Sequence, residues 1–299
     1  MSKKIYLLLL IFFSQYSHSY PAQAELFGLS ESMVQVFVTF KGGVTGSGSG
    51  IVIKENHVAT NCHIFADSDG VNVVKFFQTY TPISVYADWE NDLCVLKFDN
   101  LPLSPVNIRK SKDLNYEDKV FSLTYPNDNP MPLPSYGKIK ALYPFHKSNI
   151  IRSSAGFTVG SSGGALFDLD FNLVGITTFK SPGRRKNYYY CLPADWIKEL
   201  LQTKEQIDLK SDAAPFWSLP ENKKPFFMRV VLPMQNEDWP LMLKIAKSWT
   251  QADEESADAW YYLGFVQRKM LNFDYSKLFL KQAIKLNNQH LDSLVELTE

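Results

Sequence analysis

The chain has 299 residues, with 31 Lys and Arg against 31 Asp and Glu, 45% hydrophobic and 21% charged. That is globular composition, which excludes a disordered chain and a polytopic membrane protein. A net charge of zero offers no basic excess for nucleic acid or an anionic membrane surface, and three cysteines are too few for a disulfide-stapled scaffold.

Lys3 and Lys4 precede an unbroken apolar run, Ile5 to Phe13, followed by the small-x-small triplet Ala22-Gln23-Ala24. This pattern predicts a secretory signal over residues 1–24. The run is too short for a bilayer-spanning helix, which needs about 20 apolar residues. The expectation is an exported chain, periplasmic or secreted, with no stable membrane span after cleavage. Cleavage after Ala24 removes two lysines and leaves 275 residues with a net charge of −2.

From about 33 to 202 the sequence reads as short strands punctuated by turn residues. Val34, Val36, Val38 and Phe40 alternate with Gln35, Phe37 and Thr39, and Gly42 to Gly50 holds five glycines, enough for a tight hairpin or bulged turn. Further strands are predicted at 50–53, 71–77, 93–98, 119–123, 165–167, 173–177 and 188–192, with a helix over 195–201. Many short strands so spaced predict an antiparallel barrel or sandwich. Four prolines between 203 and 237 favour irregular connection. From 238 the period becomes helical. The expected division is a signal over 1–24, a β domain over 25–204, a linker over 205–224 and helices over 225–299.

Three short segments carry the chemistry: Thr60-Asn61-Cys62-His63, Asn91 to Lys97 beginning Asn-Asp-Leu, and Gly160-Ser161-Ser162-Gly163-Gly164-Ala165-Leu166. A serine is a feeble nucleophile until a base takes its proton, and that base needs a carboxylate to fix its tautomer and stabilise its cation. A glycine-rich turn lets two backbone N–H groups converge on a developing oxyanion. His63, Asp92 and Ser162 can supply these roles. His57, Asp88 and Ser161 are the competitors. His57 falls where a hairpin turn is expected, Asp88 does not directly precede the apolar strand, and Ser161 lacks two glycines immediately behind it.

With Gly46-Ser47-Gly48-Ser49-Gly50 ahead of them and Leu173 to Thr178 and Tyr190-Cys191-Leu192-Pro193 behind, these motifs resemble those of trypsin-like serine endopeptidases, most closely the bacterial HtrA/Deg branch. The resemblance implies an all-β double-barrel fold of the chymotrypsin type, polypeptide substrates, no cofactor and an oxyanion hole from the backbone N–H groups of Gly160 and Ser162. It also implies a substrate-binding pocket bounded by Gly156, Phe157, Thr178, Phe179 and Lys180. Gly156 stands where Lys/Arg-selective relatives carry an acid, so that selectivity is not expected. Phe157 would shorten the pocket towards small apolar side chains, whereas Lys180 would favour an acidic one or point to solvent. No metal-ligand spacing is present.

Cys62, Cys94 and Cys191 read as small buried fillers, with a Cys62–Cys94 bridge left open. The HtrA branch usually continues into PDZ domains; this chain does not resemble them. Residues 257–287 instead resemble a tetratricopeptide repeat through Trp260, Leu263, Gly264, Ser276, Leu280 and Ala283, with Asn288 in place of the customary proline. About two such repeats are too few to stand alone, so the helices either pack on the barrel or bind a protein or peptide partner. The alternative to an endopeptidase is a catalytically silent or latent protease-like barrel that serves as a binding scaffold.

Overall fold

The computed structural model describes residues 19–126, 129–181, 187–208, 211 and 213–298. Most of the segment expected to be a signal therefore lies outside the described residues. Its last two residues open α1 (Gln23–Ser30). No helix among the described residues is long and apolar enough to cross a membrane.

Among the described residues, thirteen strands form two antiparallel β units. The first contains β1 (Met33–Thr39), β2 (Thr45–Lys54), β3 (His57–Thr60), β4 (Gly70–Lys75), β5 (Gln78–Tyr80), β6 (Ser84–Asp88) and β7 (Leu93–Lys97), in the order β5-β4-β1-β2-β3-β7-β6. The second is a closed barrel of β8 (Lys119–Thr124), β9 (Leu133–Phe145), β10 (Ser148–Ser153), β11 (Ala165–Asp168), β12 (Leu173–Lys180) and β13 (Tyr189–Pro193). The two-barrel architecture expected from the motifs is present. Strands β5, β6, β9 and β10 were not anticipated from the sequence.

The glycine-rich stretch divides between a turn and a strand. Gly42 and Gly43, at φ +82° and +79°, turn the chain between β1 and β2. Gly46, Gly48 and Gly50 lie inside β2, because that strand is crowded on both sides. A Cβ on Gly48 would fall 2.5 Å from Ile64 and 3.2 Å from the carbonyl oxygen of Ser162, so a larger residue there would push β2 off the serine turn.

The free edge of β6 is covered by the segment that follows the second barrel. Val85 and Gln206 exchange backbone hydrogen bonds of 2.8 and 2.7 Å, and Glu205 accepts from Lys97, Tyr86 and Ser84 at 2.7, 2.7 and 2.9 Å. Pairing an edge in this way removes a template for aggregation. These donors, Lys97 foremost, then Tyr86 and Ser84, hold the Glu205 carboxyl down at about 2 against an ordinary 4.5. A carboxyl depressed on folding stabilises above its unfolded value and loses that contribution as pH falls through its folded one. The clamp is therefore expected to be intact above pH 4.5 and to weaken progressively towards pH 2. Amide exchange at Gln206, accelerating in that window in the wild type and already fast at neutral pH in Glu205→Gln, checks this.

After α2 (Trp196–Leu200), the C-terminal region comprises α3 (Phe226–Arg229), α4 (Val231–Asn236), α5 (Trp239–Ala252), α6 (Ala257–Lys269), α7 (Phe273–Leu286) and α8 (Leu291–Thr298). Pro233 sits inside α4, the short broken element that precedes the regular α5. Helices α6 and α7 form a close hairpin: a Cβ on Gly264 would meet Leu280 at 2.8 Å, and Leu263, Ser276, Leu280 and Ala283 are all buried. One apolar core runs from the second barrel into these helices. Phe227 stacks on Tyr143 with centroids 4.4 Å apart, and Tyr262 is buried beside the Tyr143 hydroxyl at 3.3 Å. The helices thus pack on the barrel, where each buried large side chain contributes about 1.5–3 kcal/mol.

Candidate active site

The Thr-Asn-Cys-His segment leaves β3 and ties four parts of the molecule together, one residue at a time. Thr60 Oγ1 donates to the Ser49 carbonyl at 2.7 Å, beside the serine turn. Asn61, fully buried, donates to the Asp92 carbonyl at 2.9 Å and to Thr178 Oγ1 at 3.0 Å. Cys62 is bonded to Cys94, which pairs with Thr60 across β3 and β7. His63 then faces Asp92, its Nδ1 2.6 Å from Oδ2, while its backbone N–H donates to Oδ1 at 2.8 Å.

Asp92 lies on the tight turn into β7 with φ +60°, a left-handed conformation that Asp and Asn tolerate better than most residues. It is fully buried. The competing residues have other partners. Asp88 caps this turn by accepting from the Asn91 N–H and side-chain amide at 3.0 and 2.8 Å. His57 is buried with Nδ1 2.6 Å from the Glu55 carbonyl, and Ser161 is buried against Thr124.

The serine turn is shaped by Ser49, which the sequence reading did not single out as functional. Its Oγ donates to the Gly160 carbonyl at 2.9 Å, and its N–H donates to the Ser162 carbonyl at 2.7 Å. The Ser161 carbonyl is held from the other side by Thr177 Oγ1 at 2.6 Å and the Gly164 N–H at 3.1 Å. A trans peptide directs its N–H opposite its C=O, so anchoring the Ser161 carbonyl inward turns the Ser162 N–H outward. Gly160 at φ +85° completes the curve, and neither its N–H nor that of Ser162 donates to another described residue. Gly163, at φ +81°, has no space for a side chain, since a Cβ would lie 2.2 Å from the Ser49 carbonyl and from Thr60 Oγ1. The Ser162 hydroxyl makes one long contact, 3.5 Å, to the Thr178 carbonyl.

Beside this turn, Gly156 faces Tyr189: a Cβ on Gly156 would sit 3.3–3.4 Å from the ring and its hydroxyl. Phe157 lies against the same ring, with centroids 5.0 Å apart. Thr178 and Phe179 are buried at the end of β12, and Lys180 is exposed. Tyr189 thus packs against the Gly156–Phe157 segment, a contact that strand spacing did not disclose.

The Cys62–Cys94 bridge joins the histidine loop to the strand that follows the aspartate. Cys191 is free and buried, and burial pushes its thiol far up, which leaves it unreactive. Closing a 32-residue separation is worth about 4 kcal/mol on loop entropy. The Cys62→Ser/Cys94→Ser double variant is expected to lose about 2–4 kcal/mol of stability, measured by urea unfolding with and without reductant. Reductant should shift the wild type towards the variant and leave the variant unmoved.

One further side chain reaches the site from beyond the second barrel. Trp217 Nε1 donates to Asp92 Oδ2 at 2.9 Å. Its ring meets His63 edge-on at 5.3 Å and stacks on Phe179 at 5.8 Å. The neighbouring Phe216 is buried against Phe145 and Phe179, and its N–H donates to the Glu90 carbonyl at 2.8 Å. Trp217, Pro215 and Ser218 wall a cavity of about 400 Å³ with His63, Asp92, Asp67 and Trp89. No spacing motif in the sequence marks Trp217.

A family model described as the trypsin-like peptidase domain matches residues 48–176. Among curated proteins, the chain is 30% identical over 166 residues to Protease Do-like 1, chloroplastic, of Arabidopsis thaliana, covering 51% of this chain and 38% of that protein. It is 28% identical over 167 residues to a probable periplasmic serine endoprotease, DegP-like, of Rickettsia conorii, covering 52% and 33%. The chain thus spans little more than a third of the length of these relatives. Two solved structures share the fold. The active form of the Rv3671c protease of M. tuberculosis has TM-score 0.55, 20% identity and coverage of 64% of this chain and 92% of that one. The HtrA-type protease AlgW with tripeptide has TM-score 0.54, 23% identity and coverage of 61% and 63%. With its two barrels, its serine turn and His63 set against the buried Asp92, the chain matches the trypsin-like peptidase domain over residues 48–176 and is similar to HtrA-type serine proteases.

Proposed function

We propose that the chain is an exported serine endopeptidase working through His63, Asp92 and Ser162, with the Gly160 and Ser162 N–H groups as its oxyanion hole. The observation that carries this reading is the buried Asp92 carboxylate on His63 Nδ1, 2.6 Å apart, beside a serine turn with two undirected N–H donors. Asp92 holds the proton on Nδ1 and leaves Nε2 as the base. Ser162 Oγ, released from its long contact with Thr178 on substrate binding, gives its proton to Nε2 and attacks the scissile carbonyl. Negative charge develops on the carbonyl oxygen and is met by the two N–H groups. His63 then protonates the leaving amine, and water repeats the sequence in reverse roles to release the acyl group.

The pocket favours small apolar side chains in this reading, because the Tyr189 and Phe157 rings occupy the space in front of Gly156, while Lys180 is exposed. In the proposed organisation residues 1–24 are a cleaved signal, 25–204 the protease domain, 205–224 its connection, and 225–299 tetratricopeptide-like helices. Their role is packing, on the strength of the core they share with the second barrel. Cleavage profiling on a peptide library, with wild type and Ser162→Ala side by side, tests the reading. Small apolar residues should dominate before the cut. A folded wild type that neither cuts nor takes a serine-directed phosphonate would favour the scaffold alternative.

A further inference from the structure

Asp92 is the most enclosed charge of the site, and one of its hydrogen bonds comes from outside both barrels, from Trp217. We propose that Trp217 is a positioning residue for the His63–Asp92 pair, so that the segment after the second barrel forms part of the catalytic apparatus. This inference rests on the endopeptidase reading.

Asp92 Oδ2 receives two N–H groups, His63 Nδ1 at 2.6 Å and Trp217 Nε1 at 2.9 Å, while Oδ1 receives the His63 backbone N–H at 2.8 Å. The indole therefore shares the oxygen that steers the imidazole. Trp217 is held on three sides: edge against His63, face against Phe179, and by Phe216, which anchors the backbone beside it in the core. Its ring covers Asp92 from the cavity, where, among the described residues, Asp92 and Asp67 are the carboxylates and His63 the titratable base. A carboxylate shielded from water relies on its remaining donors more strongly.

The charge argument has a definite sign. The indole N–H draws negative charge on Oδ2 away from His63. Removing that donor leaves more charge facing Nδ1, favours the imidazolium, and raises the pH below which the base is protonated. The imidazole also loses one of the contacts that fix its plane, so proton transfer slows even where His63 is neutral.

The test replaces Trp217 in the full chain by 3-benzothienylalanine, which keeps the bicyclic shape and substitutes sulfur for the N–H, with Trp217→Phe as a second variant. Loss of a hydrogen bond to a charged group predicts a fall in kcat of about tenfold to a hundredfold, with KM nearly unchanged because the ring still lines the cleft. The acid limb of kcat/KM should move to higher pH. Trp217→Ala should raise KM as well, because it also removes the wall. A purely structural role would leave the pH limb where it is and lower thermal stability instead. A benzothienyl variant with wild-type kcat and an unmoved acid limb overturns the proposal.

Two further readouts separate its failure from that of the endopeptidase reading. Phosphonate labelling of the wild type reports whether Ser162 is an activated nucleophile, which tests the endopeptidase reading. The ¹⁵N-indole and His63 Nδ1 proton resonances report on the Asp92 contacts without turnover. A Trp217 indole resonance unmoved by Asp92→Asn refutes the contact whether or not the wild type cuts peptides.

Discussion

Ser162→Ala is expected to lower kcat for peptide cleavage by about 10⁶-fold, since removing the nucleophile of such a triad costs about as much as removing all three members. It should also abolish phosphonate labelling. The structure explains why this loss should come without a folding defect. Ser162 is partly exposed, its hydroxyl makes a single long contact, and the turn is held through its backbone by Ser49, Thr177 and Gly164. Alanine keeps every one of those bonds. The residual rate should come from the N–H groups of Gly160 and Ser162, which remain in place. Kinetic assay with thermal unfolding alongside checks both halves, and retained labelling would refute Ser162 as the nucleophile.

Asp92→Asn is expected to lower kcat by about 10⁴-fold with little change in KM. Asp92 presents its two carboxylate oxygens to three N–H donors: the backbone and Nδ1 of His63, and Nε1 of Trp217. An amide has one oxygen, so its NH₂ must face at least one of these donors. The arrangement that spares the backbone bond turns the NH₂ towards both Nδ1 and Trp217, and the imidazole then carries its proton on Nε2, where it cannot act as base. Asparagine is the informative substitution because it accepts the φ of +60° that position 92 requires. An alanine there would confound loss of chemistry with backbone strain. A rate that recovers steeply at high pH would identify the tautomer as the cause.

Glycine spacing and the three motifs made the site's chemistry legible in sequence, because each motif is local. His63, Asp92 and Ser162 stand each in a short segment whose neighbours fix its backbone: Asp88 caps the Asp92 turn through Asn91, and Gly163 and Gly164 shape the serine turn. Strands with clear alternation were equally legible. β9 was not: its 13 residues alternate apolar with Lys, Tyr and Pro in a way that turn-rich sequence also shows, and its pairing with β8 and β10 gives it its form. Three glycines of the 42–50 stretch serve strand packing rather than the turn: Gly46 is crowded by Phe40 and Val38, Gly50 by Val58 and Val34, and Gly48 by Ile64 and the distant serine turn.

By itself the sequence determined which side chains could carry the reaction, that two β units would hold them, and that helices would follow. Only the tertiary structure decided what holds those side chains in place. Ser49 reaches the serine turn across 111 residues, Cys62 finds Cys94 rather than Cys191, Tyr189 faces Gly156, and Trp217 meets Asp92 across 125 residues. The physical reason is common to all four. A catalytic motif is written in the torsions and hydrogen bonds of adjacent residues, whereas the partner that steadies it is chosen by which surfaces meet when two barrels and a returning segment close on one another.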